Sequence, residues 1–204
     1  MIEARGVTKT FPGQSVPVLR GVDLHVPRGC LYGLVGPGAS GKSVLLKALV
    51  GLVAADAGTI HLGGEAVTGV DELSLHRVRA GIGMLFQNNA LFDHLTVGDN
   101  IAFPLRRMGV TDEAEIADRV ADRLRAVALP GFEARMPSGL SGGQKKRIGV
   151  ARATVTRAPV VLYDEPAAGL DPVTSQKIFE LLRREQQESG ATVVMVSSDL
   201  DRLV

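Results

Sequence analysis

The chain has 204 residues and a formal net charge of +1 at neutral pH. A chain of this length suits one domain and can bury a substantial core. The near-neutral charge gives no overall bias toward nucleic acid or an acidic membrane. Hydrophobic residues make up 45% of the sequence and aromatic residues 4%, which favours an aliphatic core of helices and strands. No apolar run reaches the roughly 18 residues that cross a bilayer, so we expect a cytoplasmic protein without direct membrane insertion.

The first third of the chain is predicted to consist mainly of strands. Residues 18–26 nearly alternate polar and apolar side chains, as a half-buried antiparallel strand does. The short apolar run Leu31–Val35 is typical of a strand covered on both faces. The single cysteine, Cys30, excludes an intrachain disulfide and is interpreted as an inert, buried thiol beside this strand. Residues 44–50 have helical spacing, and residues 82–86 are a second buried-strand candidate.

The remainder predicts a helical insertion within an α/β core. Residues of about 88–158 are helix-like and more charged, and a helix is expected to open near Asp112. A strand over 160–163, a helix over 172–189 and a strand over 192–196 follow. We therefore expect one domain over residues 1–204. Its mainly parallel core sheet and N-terminal antiparallel β layer comprise about 1–87 and 159–204, and its helical subdomain comprises about 88–158.

A glycine-rich loop at residues 36–43 has the pattern G-x-x-x-x-G-K-S between a predicted strand and a predicted helix. The glycines let the backbone wrap around phosphates, and the loop amides with the positive end of the helix hold the anion. Lys42 supplies a cation to the β- and γ-phosphates, and the Ser43 hydroxyl is a ligand for Mg²⁺. The loop predicts that the chain binds ATP with Mg²⁺.

A second glycine segment, Leu140-Ser141-Gly142-Gly143-Gln144, precedes a predicted helix. Ser141 is suited to cap that helix, so the hydroxyl, the glycine amides and the helix dipole would face a negative charge. Because the chain already has one phosphate loop, this second anion site suggests contact with the γ-phosphate held by another molecule. About 20 residues later an apolar strand ends in the two acids Asp164 and Glu165.

Together these motifs resemble the nucleotide-binding subunit of ABC transporters over essentially the whole chain. The resemblance implies an ABC-type P-loop NTPase fold and ATP hydrolysis coupled to transport. It implies a head-to-tail homodimer that clamps two ATP molecules, each between residues 36–43 of one copy and residues 140–144 of the other. It also implies separate transmembrane permease subunits, which would hold the protein at the cytoplasmic face of the membrane.

The resemblance assigns roles to individual side chains. Asp164 would hold Mg²⁺ through water, Glu165 would act as the general base, and Gln87 would sense the γ-phosphate and Mg²⁺. Phe11 lies where the family stacks an aromatic ring on adenine, although it could equally be core or surface filler. The predicted catalytic residues are Glu165, Gln87 and Ser198. The predicted metal ligands are Ser43, Gln87 and Asp164. The predicted nucleotide contacts are Phe11, Gly36, Pro37, Gly38, Ala39, Ser40, Gly41, Lys42, Ser43, Val44, Ser141, Gly142, Gly143 and Gln144.

Three features depart from the family pattern. Ser198 stands where a histidine contacts the γ-phosphate, and a serine hydroxyl cannot present an imidazole donor. Loss of one positioned donor costs roughly 2.7–4 kcal/mol of transition-state stabilisation. Val44 replaces a usual threonine. The sequence stops at Val204, where the family continues through further strands and a helix, so we expect the C-terminal part of the fold to be missing and a sheet edge to be unpaired.

Several interpretations stay open. Residues 86–105 look like the ATPases of Mla/Mce-type phospholipid transport systems, which favours phospholipid as the transported substrate. Ser198 favours an alternative, an ATP-dependent dimerisation module that hydrolyses ATP very slowly. A cassette of translation or DNA repair is disfavoured because the chain has neither a second cassette nor a long coiled coil. The basic run at residues 145–147 is interpreted as a solvated helix face and not as a nucleic-acid site.

Overall fold

The computed structural model describes residues 1–198, so residues 199–204, including the end at Val204, lie outside the described part. Within residues 1–198, eight strands form two four-stranded sheets. The strands are β1 (Ile2–Lys9), β2 (Leu19–Val26), β3 (Leu31–Val35), β4 (Ala57–Leu62), β5 (Glu65–Ala66), β6 (Ile82–Leu85), β7 (Val160–Asp164) and β8 (Thr192–Ser197). The helices are α1 (Lys42–Leu49), α2 (Glu72–Ala80), α3 (Val97–Arg107), α4 (Glu113–Ala126), α5 (Gly142–Thr154) and α6 (Pro172–Ser189).

The first sheet is antiparallel and has the strand order β2-β1-β4-β5. Ile2 and Ala4 of β1 alternate with more exposed residues and face the core, and Val7 is buried after a register shift between Ala4 and Val7. This period-two burial is what a sheet with one solvated face requires. The predicted N-terminal antiparallel layer is confirmed, and β2 begins one residue after the predicted strand.

The second sheet is parallel and has the strand order β3-β8-β7-β6. All five residues of β7 and all six of β8 are buried, as expected for inner strands covered on both faces. The predicted parallel core sheet is therefore confirmed. Because all four strands run the same way, the segments after β3, β6, β7 and β8 begin at one edge of the sheet, where α/β proteins bind ligands.

The expectation that β3 is covered on both faces is wrong. β3 lies at the end of the parallel sheet and pairs only with β8 among the described strands. Its side chains are consequently exposed: Leu31 by 37%, Tyr32 by 38% and Val35 by 39%. The adjacent Cys30 is exposed for the same reason, so its interpretation as a buried thiol is also wrong.

Within residues 1–198, five of the six α-helices begin at side-chain caps, and α1 begins at a glycine without one. Asp112 caps α4 by accepting hydrogen bonds from the amides of Ala114 and Glu115, as predicted. Sequence analysis missed α2, whose cap is Asp71 accepting from the Ser74 amide. Only Val78 of this helix is buried, so its apolar periodicity is weak.

The buried apolar side chains form two clusters. One joins the antiparallel sheet and α1 to Leu162, Val194 and Val196. The other joins α3, α4 and α5 to α6 and to the opposite side of the parallel sheet, including Leu85, Tyr163 and Val193. No helix within residues 1–198 is both long and apolar enough to span a membrane. The predicted boundaries of the helical subdomain stay a prediction.

Candidate nucleotide site

The loop between β3 and α1 turns sharply at Gly41. This residue is the N-cap of α1 and has a φ of 90°, in the left-handed region that favours glycine. A Cβ at this position would also lie 3.0 Å from the Val18 carbonyl oxygen. Glycine is therefore required both by the backbone conformation and by the close approach of residue 18. The turn directs the first amides of α1 toward the interior of the loop.

The Lys42 ammonium lies inside this loop. Its Nζ donates to the carbonyl oxygens of Gly36 at 2.7 Å and Pro37 at 2.8 Å, and to the Ser40 hydroxyl at 3.3 Å. A lysine ammonium is a compact charge with three donors. Lys42 thus places its charge inside the loop, against the backbone of Gly36 and Pro37.

The next residue connects the loop to the parallel sheet. The Ser43 hydroxyl donates to Oδ1 of Asp164 at 2.6 Å, although the two residues are 121 positions apart in the chain. Asp164 is the last residue of β7 and is only 1% exposed. The contact brings an alcohol oxygen and a carboxylate together beside the phosphate loop.

Glu165 follows immediately and has an unusual backbone. Its φ is 49°, a left-handed conformation that costs a residue with a Cβ roughly 1–2 kcal/mol. Its amide donates to the Val196 carbonyl at 3.0 Å, and its carbonyl accepts from the Ala168 amide at 3.2 Å. Such conformations persist where surrounding contacts hold them, and they concentrate at functional sites.

Lys146 also belongs to this group, which sequence analysis missed. It is 3% exposed, and its Nζ donates to the carbonyl oxygens of Gln87 at 2.5 Å and Glu165 at 3.1 Å. Burial lowers the pKa of the ammonium, while the charges of Asp164 and Glu165 act to raise it. The interpretation of residues 145–147 as a solvated face is therefore wrong for Lys146. The sequence signal for its burial was its helical spacing from Gly149, Val150 and Ala153, which are buried residues on the same face of α5.

The second glycine segment lies at the start of α5. Ser141 caps the helix as predicted: its hydroxyl accepts from the Gln144 amide at 3.3 Å, and the Gln144 side chain accepts from the Ser141 amide at 2.9 Å. A Cβ on Gly143 would lie 3.0 Å from the Thr174 side chain. Within residues 1–198, no hydrogen bond or ion pair joins residues 141–144 to the phosphate loop.

Four further predicted site residues lie in four separate segments of the chain. Phe11 is half-buried in the loop after β1, with the Lys9 ammonium 5.7 Å from its ring centroid. Val44 is half-buried in α1 and packs against the antiparallel-sheet core. Ser198 is exposed directly after β8, and Gln87 is exposed after β6. The structure thus brings together Lys42, Ser43, Asp164, Glu165 and the Gln87 backbone.

The combination of a buried parallel strand, a glycine loop, a lysine at the helix start and a serine–aspartate contact defines a nucleotide-binding fold of the P-loop class. The family model for ABC transporters matches residues 19–168. The chain belongs to the ABC transporter family.

Two curated relatives are both named methionine import ATP-binding protein MetN. The one from Thermobifida fusca is 43% identical over 203 residues, which are 98% of this chain and 63% of that protein. The one from Bordetella pertussis is 40% identical over 203 residues, which are 98% of this chain and 56% of that protein. The chain therefore spans less than two thirds of the length of these relatives. They do not support the expected likeness to Mla/Mce-type phospholipid ATPases.

Solved structures confirm the ABC-type fold. One is a dimeric post-hydrolysis state of the ATP-binding cassette MJ0796 bound to ADP and Pi, with a TM-score of 0.91 and 31% identity, covering 99% of this chain and 90% of that one. Another is cbiO1 from Clostridium perfringens, part of the transporter complex cbiONQ. Its TM-score is 0.87 at 27% identity, with 99% of this chain and 80% of that one covered.

Proposed function

We propose that the chain binds and hydrolyses ATP as a head-to-tail homodimer and that hydrolysis drives transport through separate membrane subunits. The observation that carries this proposal is the 2.6 Å contact between Ser43 and Asp164. It joins the phosphate loop to the end of β7, which supports the assignment of Glu165, the next residue, as the general base.

We assign the nucleoside to a surface depression of about 750 Å³ that lies beside the phosphate loop. Residues 13–18 line one side of it, and Ala39 and Ser40 of the phosphate loop also line it. Phe11 lies two residues before this lining and is the proposed stacking partner of adenine. An aromatic ring offers a base a stacking surface without fixing its hydrogen-bond pattern.

The residues beside the loop fit Mg²⁺. The Ser43 hydroxyl and Asp164 carboxylate are oxygen donors, which this cation prefers, and Gln87 would add an amide oxygen. Within residues 1–198, no group of three or more histidine, cysteine, aspartate or glutamate side chains could hold a metal. This agrees with an ion that takes much of its coordination from phosphates and water. When bound, Mg²⁺ would neutralise charge on the phosphates.

The chemical work of the chain divides between binding and proton transfer. The loop amides and Lys42 would hold the phosphates and stabilise the charge that develops on them during transfer. The Glu165 carboxylate would orient the attacking water and accept its proton. Its strained backbone, held by bonds to Val196 and Ala168, would fix the point from which the side chain reaches the water.

A second copy would complete the site. The amides at the start of α5 and the capping residue Ser141 would form an anion-binding end, while the same chain's phosphate loop lies at the end of β3. A head-to-tail pair would bring these two segments to opposite sides of one ATP. The MJ0796 cassette, which matches this chain, is described as dimeric.

A groove next to Gln87 is the proposed contact for a permease. It measures about 310 Å³ and is lined by Phe86, Ala90, Phe92, Phe103 and Pro104 among others. The Phe92 and Phe103 rings are 4.9 Å apart. An apolar groove of this kind suits a helix from a partner. Docking there would place the chain at the cytoplasmic face of a membrane.

For the substrate we propose methionine, because both relatives described above are named as methionine import proteins. Phospholipid is the competing substrate, based on the pattern of residues 86–105. Reconstitution of the chain with its co-purifying permease in vesicles separates the two. ATP-dependent uptake of labelled methionine supports the first, and transfer of labelled phospholipid without methionine uptake supports the second.

The proposal as a whole is tested with Glu165→Gln and Lys42→Ala. Single-turnover measurements should show hydrolysis by the wild type and almost none by Glu165→Gln, which should instead form a stable dimer with ATP and Mg²⁺ during gel filtration. Lys42→Ala should neither bind ATP tightly nor dimerise. Equal hydrolysis by wild type and Glu165→Gln would favour the slow dimerisation module, to which Ser198 points. A Glu165→Gln protein that stays monomeric with saturating ATP would contradict both.

A further inference from the structure

Lys146 lies where two segments of the nucleotide site approach the same helix. It is on the second turn of α5, and its 3% exposure means that its ammonium is shielded from solvent. The two hydrogen bonds it donates go to backbone carbonyls of Gln87 and Glu165, which follow β6 and β7. A buried ammonium requires such partners because an unpaired one is costly. One side chain therefore joins both segments.

The Glu165 end of this link holds a strained residue. The left-handed backbone of Glu165 is fixed by its own amide to Val196 and by its carbonyl, which accepts from Ala168 and from Lys146. The first two bonds are backbone contacts, which follow from the fold. The third is the side-chain contribution, and it depends on residue 146.

The Gln87 end of the link is held mainly from α5. Arg152 donates to the carbonyls of Asn89 at 2.5 Å and Ala90 at 2.7 Å. Asn89 and Ala90 also have left-handed backbones, with φ values of 62° and 48°. Arg152 thus anchors the far part of the segment, while Lys146 anchors Gln87 itself and also reaches Glu165.

We propose that Lys146 is a positioning residue that couples the Gln87 segment to the Glu165 backbone. Displacement of the Gln87 segment then changes the orientation of the Glu165 carboxylate. This role depends on the proposed function for its effect on hydrolysis. A lysine suits it because the compact ammonium has three donors that can point to separate carbonyls. A methionine in its place would fill similar space without any donor.

The first measurement compares steady-state hydrolysis in Lys146→Met, Lys146→Gln and the matched control Lys177→Met. Lys177 is exposed on α6. In Lys146→Met, kcat should fall by about tenfold, as expected for a misaimed catalytic group, while KM for ATP changes by less than about twofold. Lys146→Gln keeps two N–H donors and should recover most of the lost kcat. Equal kcat values in wild type and Lys146→Met, or a loss that Lys146→Gln does not recover, would overturn the inference.

The second measurement is amide hydrogen exchange without nucleotide. Lys146→Met should accelerate exchange in residues 86–92 and in residues 165–168 together, and Lys177→Met in neither. Acceleration in only one segment would refute the coupling. If Lys146→Met does not fold, Lys146→Leu, which also lacks a donor, replaces it in the same comparison. Exchange does not require hydrolysis, so equal inactivity of wild type and Glu165→Gln would reject the proposed function while exchange still decides the role of Lys146.

Discussion

Ser198 gives the clearest test at the scale of single residues. It directly follows β8, whose Val196 carbonyl accepts the Glu165 amide, so residue 198 lies near the segment of Glu165, the proposed general base. Ser198→His should raise the rate of hydrolysis by on the order of 10²-fold, because an imidazole adds a positioned donor to the developing charge. The rate is measured in single turnover with saturating ATP.

Ser198→Ala is the matched control for that experiment. The serine hydroxyl is too short to replace an imidazole donor, so its removal should leave the rate unchanged. A histidine variant no faster than wild type, combined with a slower alanine variant, would show that serine itself serves the site. In that case Ser198 no longer supports the alternative function, an ATP-dependent dimerisation module that hydrolyses ATP very slowly.

Motifs predicted some site residues and missed others for a physical reason. The loop at residues 36–43 and the two acids at the end of β7 could be found because phosphate binding needs a fixed local order of residues. Sequence analysis missed the burial of Lys146 because its neighbours Lys145 and Arg147 are charged and less buried. The basic run at residues 145–147 therefore resembles a solvated surface. The role of Lys146 depends on the carbonyls of Gln87 and Glu165, which are 59 and 19 positions away.

At the scale of elements, the position of α5 depends on its close approach to β6. A Cβ on Gly83 would lie 1.9 Å from the Ala153 carbonyl oxygen, and one on Gly149 would lie 2.5 Å from the Leu85 side chain. Gly83 on β6 faces α5, and Gly149 on α5 faces β6. They permit α5 to lie close enough for Lys146 to reach the segment after β6.

Gly83→Ala should therefore destabilise the fold. Because the added methyl group meets backbone and not a movable side chain, we expect a loss of about 3 kcal/mol in the free energy of unfolding, the upper end of typical overpacking costs. Gly139→Ala is the control, since a Cβ there meets nothing within 4 Å, and it should change stability by less than about 0.5 kcal/mol. Urea denaturation measures both, and equal stabilities would contradict the close approach.

Element types were easier to predict than element environments. The strong apolar runs of β7 and β8 and the long periodic α6 were found with nearly correct bounds. The same apolar signal in Leu31–Val35 gave the right strand but the wrong surroundings. The sequence of a strand indicates its preference for the extended conformation. The exposure of its side chains depends on which strand lies beside it, and that neighbour is set by distant parts of the chain.

At the scale of the whole molecule, the edge of β3 away from β8 pairs with no strand within residues 1–198, and we predict that it is a second surface for association between copies. Its five residues pair with β8 on one side, and three of its large apolar side chains are more than a third exposed. An apolar strand edge with free backbone groups is a template for pairing with another chain. This association would differ from the proposed ATP dimer, because it would need neither nucleotide nor Glu165.

Tyr32→Lys should suppress this association, since a charged side chain on an edge strand disfavours pairing with another strand. Sedimentation velocity over a range of concentrations, without nucleotide, should show wild type forming larger species and Tyr32→Lys remaining smaller. Leu73→Lys is the control: Leu73 is 66% exposed but lies on the helix α2, which offers no strand edge for pairing. If Leu73→Lys suppresses association equally, general hydrophobicity and not the strand edge is responsible. If Tyr32→Lys abolishes the ATP-dependent dimer of Glu165→Gln, the two surfaces are not independent.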